Sequence, residues 1–370
     1  MMTPKSNTPQ SLYLHVPFCR TICSYCDFCH TVYRRERAET WLNALKEDLS
    51  SRNIPASSQK TVYIGGGTPT CLDADLLDRL LSMLDFCIGE NCEYTAEVNP
   101  ETLDQEKAQI MAAHGITRAS IGFQTDNPRL LKMMNRHHTA ETVRESMELL
   151  HENGIADISL DLMYSLPGQT MEDLKQAVHT AVSFDPDHLS LYSLTIEENT
   201  VFGKKGFQSL DEDTEADMYE WICDTLPEYG YEQYEISNFA KQGHESRHNL
   251  AYWHYDDFYG ISCGASGKEN GVRYDVVRNL DEYIRDPGRR EDIVLDKKDR
   301  MFETVMMGLR LKKGVSLKLF EERFGIPLKE AMPVSSRLSE EGLLEWHDGY
   351  LRCTDRGYPV LNSILVEFLD

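Results

Sequence analysis

The sequence has no apolar run approaching the roughly 20 residues that a membrane-spanning helix needs. Its opening, Met1 to Ser11, is polar and runs directly into Leu12–Val16. The longer apolar stretch of a secretory signal is missing, so export is not expected and a cytoplasmic location is. Positive charge is scarce: 38 Lys and Arg stand against 61 Asp and Glu, a formal charge of −23. Such a surface is repelled by phosphate backbones, which disfavours DNA and broad nucleic-acid binding. Low-complexity tracts are absent, and no internal repeat exceeds a strand–helix period, which excludes mucin-like and solenoid chains. What is left, 41% hydrophobic and 27% charged over 370 residues, is an ordinary globular composition with length for two or three domains.

Cysteine, by contrast, is plentiful. Of ten, four are crowded together: Cys19, Cys23, Cys26 and Cys29. A disulfide scaffold is normally short and spreads its cysteines through the fold. A tight cluster in a large chain reads as metal or cluster ligation in a reducing compartment.

From residue 11 to about 195 a short apolar or β-branched run alternates with an amphipathic helix. The spacing predicts strands over Leu12–Val16, Thr61–Ile64, Tyr94–Val98, Arg118–Phe123, Ile158–Met163 and Leu189–Leu194. Helices are expected around Leu76–Leu84 and Val143–Leu150, the second ending at Gly154. Alternation of this kind implies α/β architecture with a parallel sheet. Six units are too few for a closed (β/α)8 barrel and suit a partial (β/α)6 barrel. Chemically unusual residues follow one strand after another at the C-terminal ends, the face where such barrels build sites. Beyond about 200 the rhythm changes to an α+β extension, with a helix over Asp211–Tyr229 and a strand over Tyr231–Ile236. From 296 onward, helices, a two-strand ribbon near Trp346–Cys353 and a final helix resemble a winged helix. The expected organisation is therefore a tail over 1–10, a barrel over 11–200, the extension over 201–295 and the helical module over 296–370.

Cys19, Cys23 and Cys26 form C-x3-C-x2-C. Three soft thiolates in one loop can hold three irons of a [4Fe–4S] cube and leave the fourth open to an exchangeable ligand. Structural zinc prefers separated ligand pairs; zinc or buried thiols are the alternative. Cys29 reads as a spare thiol near the cluster.

This motif, with an aromatic before its last Cys, resembles the radical S-adenosylmethionine (SAM) superfamily. Leu12 to Cys19, Gly65-Gly66-Gly67-Thr68-Pro69-Thr70, Glu97-Val98-Asn99-Pro100, Ser120 to Gln124 and Asp161 to Thr170 resemble its oxygen-independent coproporphyrinogen III oxidase group. The resemblance spans about residues 11–369. It implies a [4Fe–4S] cluster on Cys19, Cys23 and Cys26, with SAM on the open iron. Tyr13 and Phe28 would lie beside the cluster and SAM. Gly66, Gly67 and Thr68 would meet the methionyl end, where side chains would block approach. Glu97, Gln124, Arg136 and Asp161 match SAM-contacting residues, and Thr195 a backbone contact near adenine.

Phe28 stands where the oxidases carry a further Cys, and only 18 residues precede Cys19, fewer than in those enzymes. His248-Asn249-Leu250-Ala251-Tyr252-Trp253 reads H-N-x-x-Y-W, which is similar to the HemW family of radical SAM heme chaperones. His248 offers an imidazole for heme iron, and Tyr252 and Trp253 offer flat faces for a porphyrin; His244, His254 and Cys263 compete as axial ligands. Ser266 stands where many relatives have His, and Thr125-Asp126 follow Gln124 in place of Ser-Phe. The resemblance implies heme as a third bound group and a heme-acceptor protein as partner. A flavodoxin or ferredoxin would donate electrons if SAM is cleaved, in a monomer or homodimer compatible with peripheral membrane contact. Whether the chain turns over a substrate stays open. The alternative is radical decarboxylation of coproporphyrinogen III, whose four carboxylates would call on Arg20, Arg34, Arg35 and Arg37, or a related radical SAM porphyrin reaction such as the opening of heme.

Overall fold

The computed structural model describes residues 8–369, so most of the expected tail, 1–7, lies outside the described residues. Six parallel strands follow in chain order: β1 (Ser11–Val16), β2 (Gln59–Gly66), β3 (Ile88–Val98), β4 (Arg118–Gln124), β5 (Asp157–Tyr164) and β6 (His188–Ser193). The first five contain the predicted run, extended by one to six residues at an end; the sixth starts one residue before the predicted Leu189–Leu194 and stops one short of Leu194. Intervening helices include Ala74–Ser82 and Ala140–Glu152, the latter followed by Gly154 at φ +86°. A Thr139 capping box starts that helix, and a Thr170 box starts the next, Met171–Ser183.

Strand alternation explains how the sheet makes both a core and a site. Val62, Ile64, Ala96, Ile121, Leu160 and Leu189 are buried and pack with Leu42, Leu77, Val143 and Val178 of the crossover helices in one cluster. The intervening residues are mostly polar: Tyr63, Thr95, Glu97, Arg118, Ser120, Ser159, Asp161 and His188. Register sets them side by side across the sheet, Tyr63 opposite Thr95, Glu97 opposite Ser120, Ser120 opposite Ser159 and Ser159 opposite His188. In a closed barrel bulky branched residues fill this space. Here polar side chains fill it by bonding to one another, as Ser159 Oγ does to His188 Nδ1 at 2.8 Å.

The extension does not stay apart from this sheet. Beyond residue 200 come β7 (Glu232–Gln233), β8 (Asn238–Ala240) and β9 (Tyr259–Ile261). β9 adds in parallel to β1, while β8 pairs antiparallel with β6 and β7 with β8. The single strand expected over Tyr231–Ile236 is a hairpin, because the chain doubles back and Tyr234 N donates to Asn238 O at 3.2 Å. The helix expected over Asp211–Tyr229 spans Glu212–Thr225 and then tightens over Leu226–Tyr229, where Pro227 cannot donate.

Residues beyond 296 enclose a second core of Val305, Phe320, Leu338, Leu351 and Ile364. Helices Lys297–Gly308, Leu317–Phe324 and Val334–Glu340 surround a sheet of three strands rather than the expected two. Val315–Ser316 supplies the extra strand, pairing with Tyr350 and Leu351. Tyr255 Oη donates to Glu303 at 2.6 Å, which ties this module to the extension.

Candidate functional site

The loop after β1 carries Cys19, Cys23 and Cys26, and it is closed by a two-residue parallel pairing of Phe18–Cys19 with Thr31–Val32. Ser24 anchors it twice, donating to Met134 O and accepting from Phe202 N, both at 2.9 Å. All three sulfurs belong to half-buried residues. Among the described residues, Asp157, Asp187 and His244 form the one His/Cys/Asp/Glu group whose ligand atoms all lie within 4.8 Å of one another. The Cys19, Cys23 and Cys26 sulfurs do not all lie within 4.8 Å of one another. Burial pushes the Cys19 thiol up to about 11 and the Cys26 thiol up to about 12. Metal binding there would release protons.

The rest of the rim faces this loop. Thr68 Oγ1 lies 3.8 Å from Cys19 Sγ and Arg136 Nη1 3.9 Å from Cys23 Sγ. Arg136 Nη2 donates to Gly122 O at 2.7 Å, and its buried Nε has no partner. The β4–β5 register slips between Gly122 and Gln124, with Gln124 at φ +60°, so the strand bends where these groups meet. Gly66 N donates to Glu97 Oε2 at 3.0 Å and Tyr63 Oη to Oε1 at 3.1 Å. Burial and the neighbouring Asp161 raise the Glu97 carboxyl to about 7. Asp161, itself raised by burial, accepts from Ser120 Oγ at 2.8 Å. Gly66 adopts φ +102°, and a Cβ there would strike the His15 ring; one at Gly67 would strike the Val16 and Phe18 carbonyls. The glycines thus serve close backbone packing beneath the rim.

A cavity of about 640 Å³ opens beside this rim, within the range of small-molecule sites. Tyr13, Phe28, His248, Asn249, Tyr252 and Trp253 all line it. Tyr13 and Tyr63 are register partners with ring centroids 6.2 Å apart, and they belong to both rim and cavity. Phe28 is 64% exposed at the mouth. Thr195 is exposed beyond β6 and outside the cavity lining.

His248 differs from the expectation of a free imidazole. The residue is 1% exposed. Nδ1 lies 2.9 Å from Thr61 Oγ1 and Nε2 2.7 Å from Tyr252 Oη, so both nitrogens are engaged. Its ring stacks on Tyr63 at 5.2 Å, and the His248 backbone N–H donates to Glu93 Oε1 at 2.8 Å. Burial lowers the imidazole to about 3, so it is neutral. The reason is placement: helix Arg247–Trp253 packs His248 inward, and Tyr252, one turn on, meets it from the cavity side.

The other axial candidates fare differently. His244 faces Asp157 and Asp187, and His254 is exposed; neither lines the cavity. Of the expected cations, Arg20 pairs with Asp73, Arg35 with Asp73 and Asp75, and Arg37 with Asp281, all away from the cavity. The cavity cations are Lys268, paired with Asp257, Arg273, paired with Glu303, and Arg278. Among the described residues Arg278 has no carboxylate in ion-pair range; its Nη2 donates to Asp27 O at 2.8 Å. Sequence reasoning missed Arg278, Tyr63 and the Met306–Met307 wall. The register of Tyr63 beside Tyr13 was a usable signal; nothing local marks the others.

Residues 13–181 match the radical SAM superfamily and 295–360 the HemN C-terminal domain. Heme chaperone HemW of Lactococcus lactis is 38% identical, covering 98% of this chain and 97% of that protein. Heme chaperone HemW of Bacillus subtilis is 37% identical, with coverage of 97% and 99%. The chain belongs to the HemW family. The Escherichia coli HemW is 32% identical over 98% of each chain. The radical SAM coproporphyrinogen III oxidase HemN of E. coli shares the fold, with TM-score 0.85 over 99% of this chain and 91% of that one at 20% identity. A radical SAM member of the HemW family uses a [4Fe–4S] cluster and SAM. No helix among the described residues is long and apolar enough to cross a membrane.

Proposed function

We propose that the chain is a radical SAM heme chaperone that binds heme in the cavity beside the cluster loop and passes it to an acceptor protein. The observation that carries this reading is the 640 Å³ cavity walled by the H-N-x-x-Y-W residues and sharing Tyr13 and Phe28 with the rim. Cys19, Cys23 and Cys26 would hold the cluster. Bound there, the cluster and SAM supply an open iron with an exchangeable ligand and a path for reductive SAM cleavage.

The chain's own groups set the geometry. Glu97, held by Tyr63 and the Gly66 N–H, offers a buried acceptor for the SAM ammonium. A cation beside it would draw the raised carboxyl back to its ionised form. Arg136 offers its unpartnered Nε to the SAM carboxylate. Gly66 and Gly67 keep side chains out of the approach, with Thr68, Gln124 and Asp161 completing the rim, while Tyr13 and Phe28 flank the boundary with the cavity. Tyr252 and Trp253 supply porphyrin faces. His248 is a positioning residue for Tyr252, Asn249 sits beside it at the wall, and Arg278 is the cation for a propionate.

Ten free thiols suit a reducing, cytoplasmic setting. A flavodoxin or ferredoxin would be the electron donor. The cavity draws on all three expected segments, with Tyr13, Phe28 and Tyr63 from before 200, His248, Asn249, Tyr252 and Trp253 from the extension and Met306 and Met307 from beyond 295.

The test uses anaerobically reconstituted protein. Hemin titration should saturate at one per chain, with transfer to an apo-acceptor. Supplied with SAM, reductant and coproporphyrinogen III, the same protein should yield no decarboxylated porphyrin. Protoporphyrinogen formed over many turnovers would instead make this an oxidase.

A further inference from the structure

The fourth cysteine of the loop has a partner far along the chain. Cys29 Sγ lies 3.6 Å from Cys263 Sγ, across 234 residues of sequence. Both sulfurs also reach one carbonyl, Arg278 O, at 2.9 and 3.2 Å. Neither cysteine belongs to the C-x3-C-x2-C triad, and neither is used by the function proposed above.

Each is held by its own framework. His15 Nε2 lies 2.7 Å from Cys29 O, which fixes the loop from the barrel side. Cys263 sits in a tight turn, Ser262 to Ala265, closed by Ala265 N donating to Ser262 O at 3.0 Å. Ser262 in that turn accepts from Trp41 Nε1 at 2.9 Å. Gly264 adopts φ +81°, and a Cβ there would collide with Cys29 Cβ. The turn therefore accepts the Cys29 side chain only because residue 264 has none. A disulfide has sulfurs about 2.05 Å apart, so rotation about the two side chains must close roughly 1.5 Å.

The two thiols differ in access. Cys263 is fully buried, whereas Cys29 is half-buried, next to exposed Phe28 and Asp27 at the cavity mouth. A hydrogen bond from Cys263 holds the Cys29 thiol below its usual value, against the effect of burial. Cys29 is the thiol a small oxidant can meet, and Cys263 the one placed to resolve the product.

We propose that Cys29 and Cys263 form a reversible disulfide that ties the cysteine loop to the extension under oxidising conditions. With a low-molecular-weight disulfide such as glutathione disulfide as oxidant, Cys29 attacks one sulfur and expels one glutathione. Cys263 then attacks Cys29 Sγ and expels the second. The protein loses two protons and two electrons, and two glutathione thiols carry them away. The bond would fix the segment carrying Asp27, Phe28 and Cys29 at the cavity mouth.

The experiment is peptide mapping of the full-length reconstituted protein after graded glutathione disulfide, alkylation and digestion, with iron and sulfide measured on the same samples. The cross-linked peptide pair containing Cys29 and Cys263 should appear first and exceed any other pair at least about tenfold. Cys71, Cys87, Cys92, Cys223 and Cys353 should remain alkylated, and dithiothreitol should reverse the bond. Cys29→Ser should abolish the cross-link. It is the safer variant, since Cys263 is in the core. A stable Cys29–glutathione adduct with Cys263 still alkylated would overturn the proposal, as would a bond from Cys29 to Cys19, Cys23 or Cys26. Iron content reports the cluster assignment separately, so its failure is distinguishable from failure of the thiol pair.

Discussion

The rim and the cavity wall lie side by side, yet they spend their polar groups differently. At the rim, groups are left open: three half-buried sulfurs and a buried Arg136 Nε without a partner, beside a Glu97 carboxyl that burial and Asp161 raise to about 7. At the wall, the residue most suited to coordinate iron is closed: His248 spends both nitrogens on Thr61 and Tyr252. An open polar group in a buried setting costs stability and waits for a ligand. A satisfied one builds a surface. The contrast separates residues that meet a cofactor from residues that shape the space beside it.

Removing a rim sulfur should break the contrast most severely. Cys23→Ala should abolish the iron–sulfur absorption and the bound iron after reconstitution, while hemin affinity of the same protein changes only a few-fold. Parallel loss of hemin binding would mean that rim and wall are one site.

Glu97→Gln should act next, in two ways. SAM binding should fall roughly 10- to 100-fold, the range for a hydrogen bond to a charged group, measured by isothermal titration of reconstituted protein. Stability of the apo-protein should move the other way. The folded-state carboxyl is raised to about 7 from an ordinary 4.5, so the folded state loses stability as pH rises through that window. Denaturant titrations should find Glu97→Gln more stable than wild type by roughly 1–2 kcal/mol above pH 7, with the difference vanishing near pH 4.5. An equal difference at both pH values would contradict the origin of the shift.

His248→Ala probes the wall. Losing two buried side-chain hydrogen bonds and the stacked ring should cost about 2–4 kcal/mol, read by chemical denaturation. The wild-type imidazole, lowered to about 3 from 6.5, must stay neutral when folded. Its contribution is fully present above pH 6.5 and declines as pH falls towards 3, so the gap between wild type and variant should narrow on acidification.

Arg278→Gln should give the smallest effect: a few-fold loss of hemin affinity, and none for the dimethyl ester, which lacks the carboxylates. Equal losses for both would remove Arg278 from propionate recognition.

These regions were unequally legible in the sequence. The six barrel strands stood out because each combines an apolar half that faces helices with a distinctive residue at its C-terminal end. Glu97, Gln124 and Asp161 are legible as rim residues, since strand order alone brings them together. The thiol pair and Arg278 could not: they join a loop near residue 29 to turns near 263 and 278, and only the parallel pairing of β9 with β1 makes them neighbours. The direction of His248 was hidden for another reason. A short helix has an inward and an outward face, and H-N-x-x-Y-W does not tell which one the histidine takes. Thr195 followed a strand like the others, yet it is exposed, since the chain has left the sheet by then.

The most direct test of that division is the heme spectrum of His248→Gln, which keeps a polar side chain between Thr61 and Tyr252. With His248 as wall, the variant should retain the wild-type Soret position and a hemin affinity within about threefold, under 1 kcal/mol. A histidine-ligated spectrum in wild type that disappears in a stably folded His248→Gln protein would contradict the account, because the imidazole would then have left Thr61 and Tyr252 for the iron.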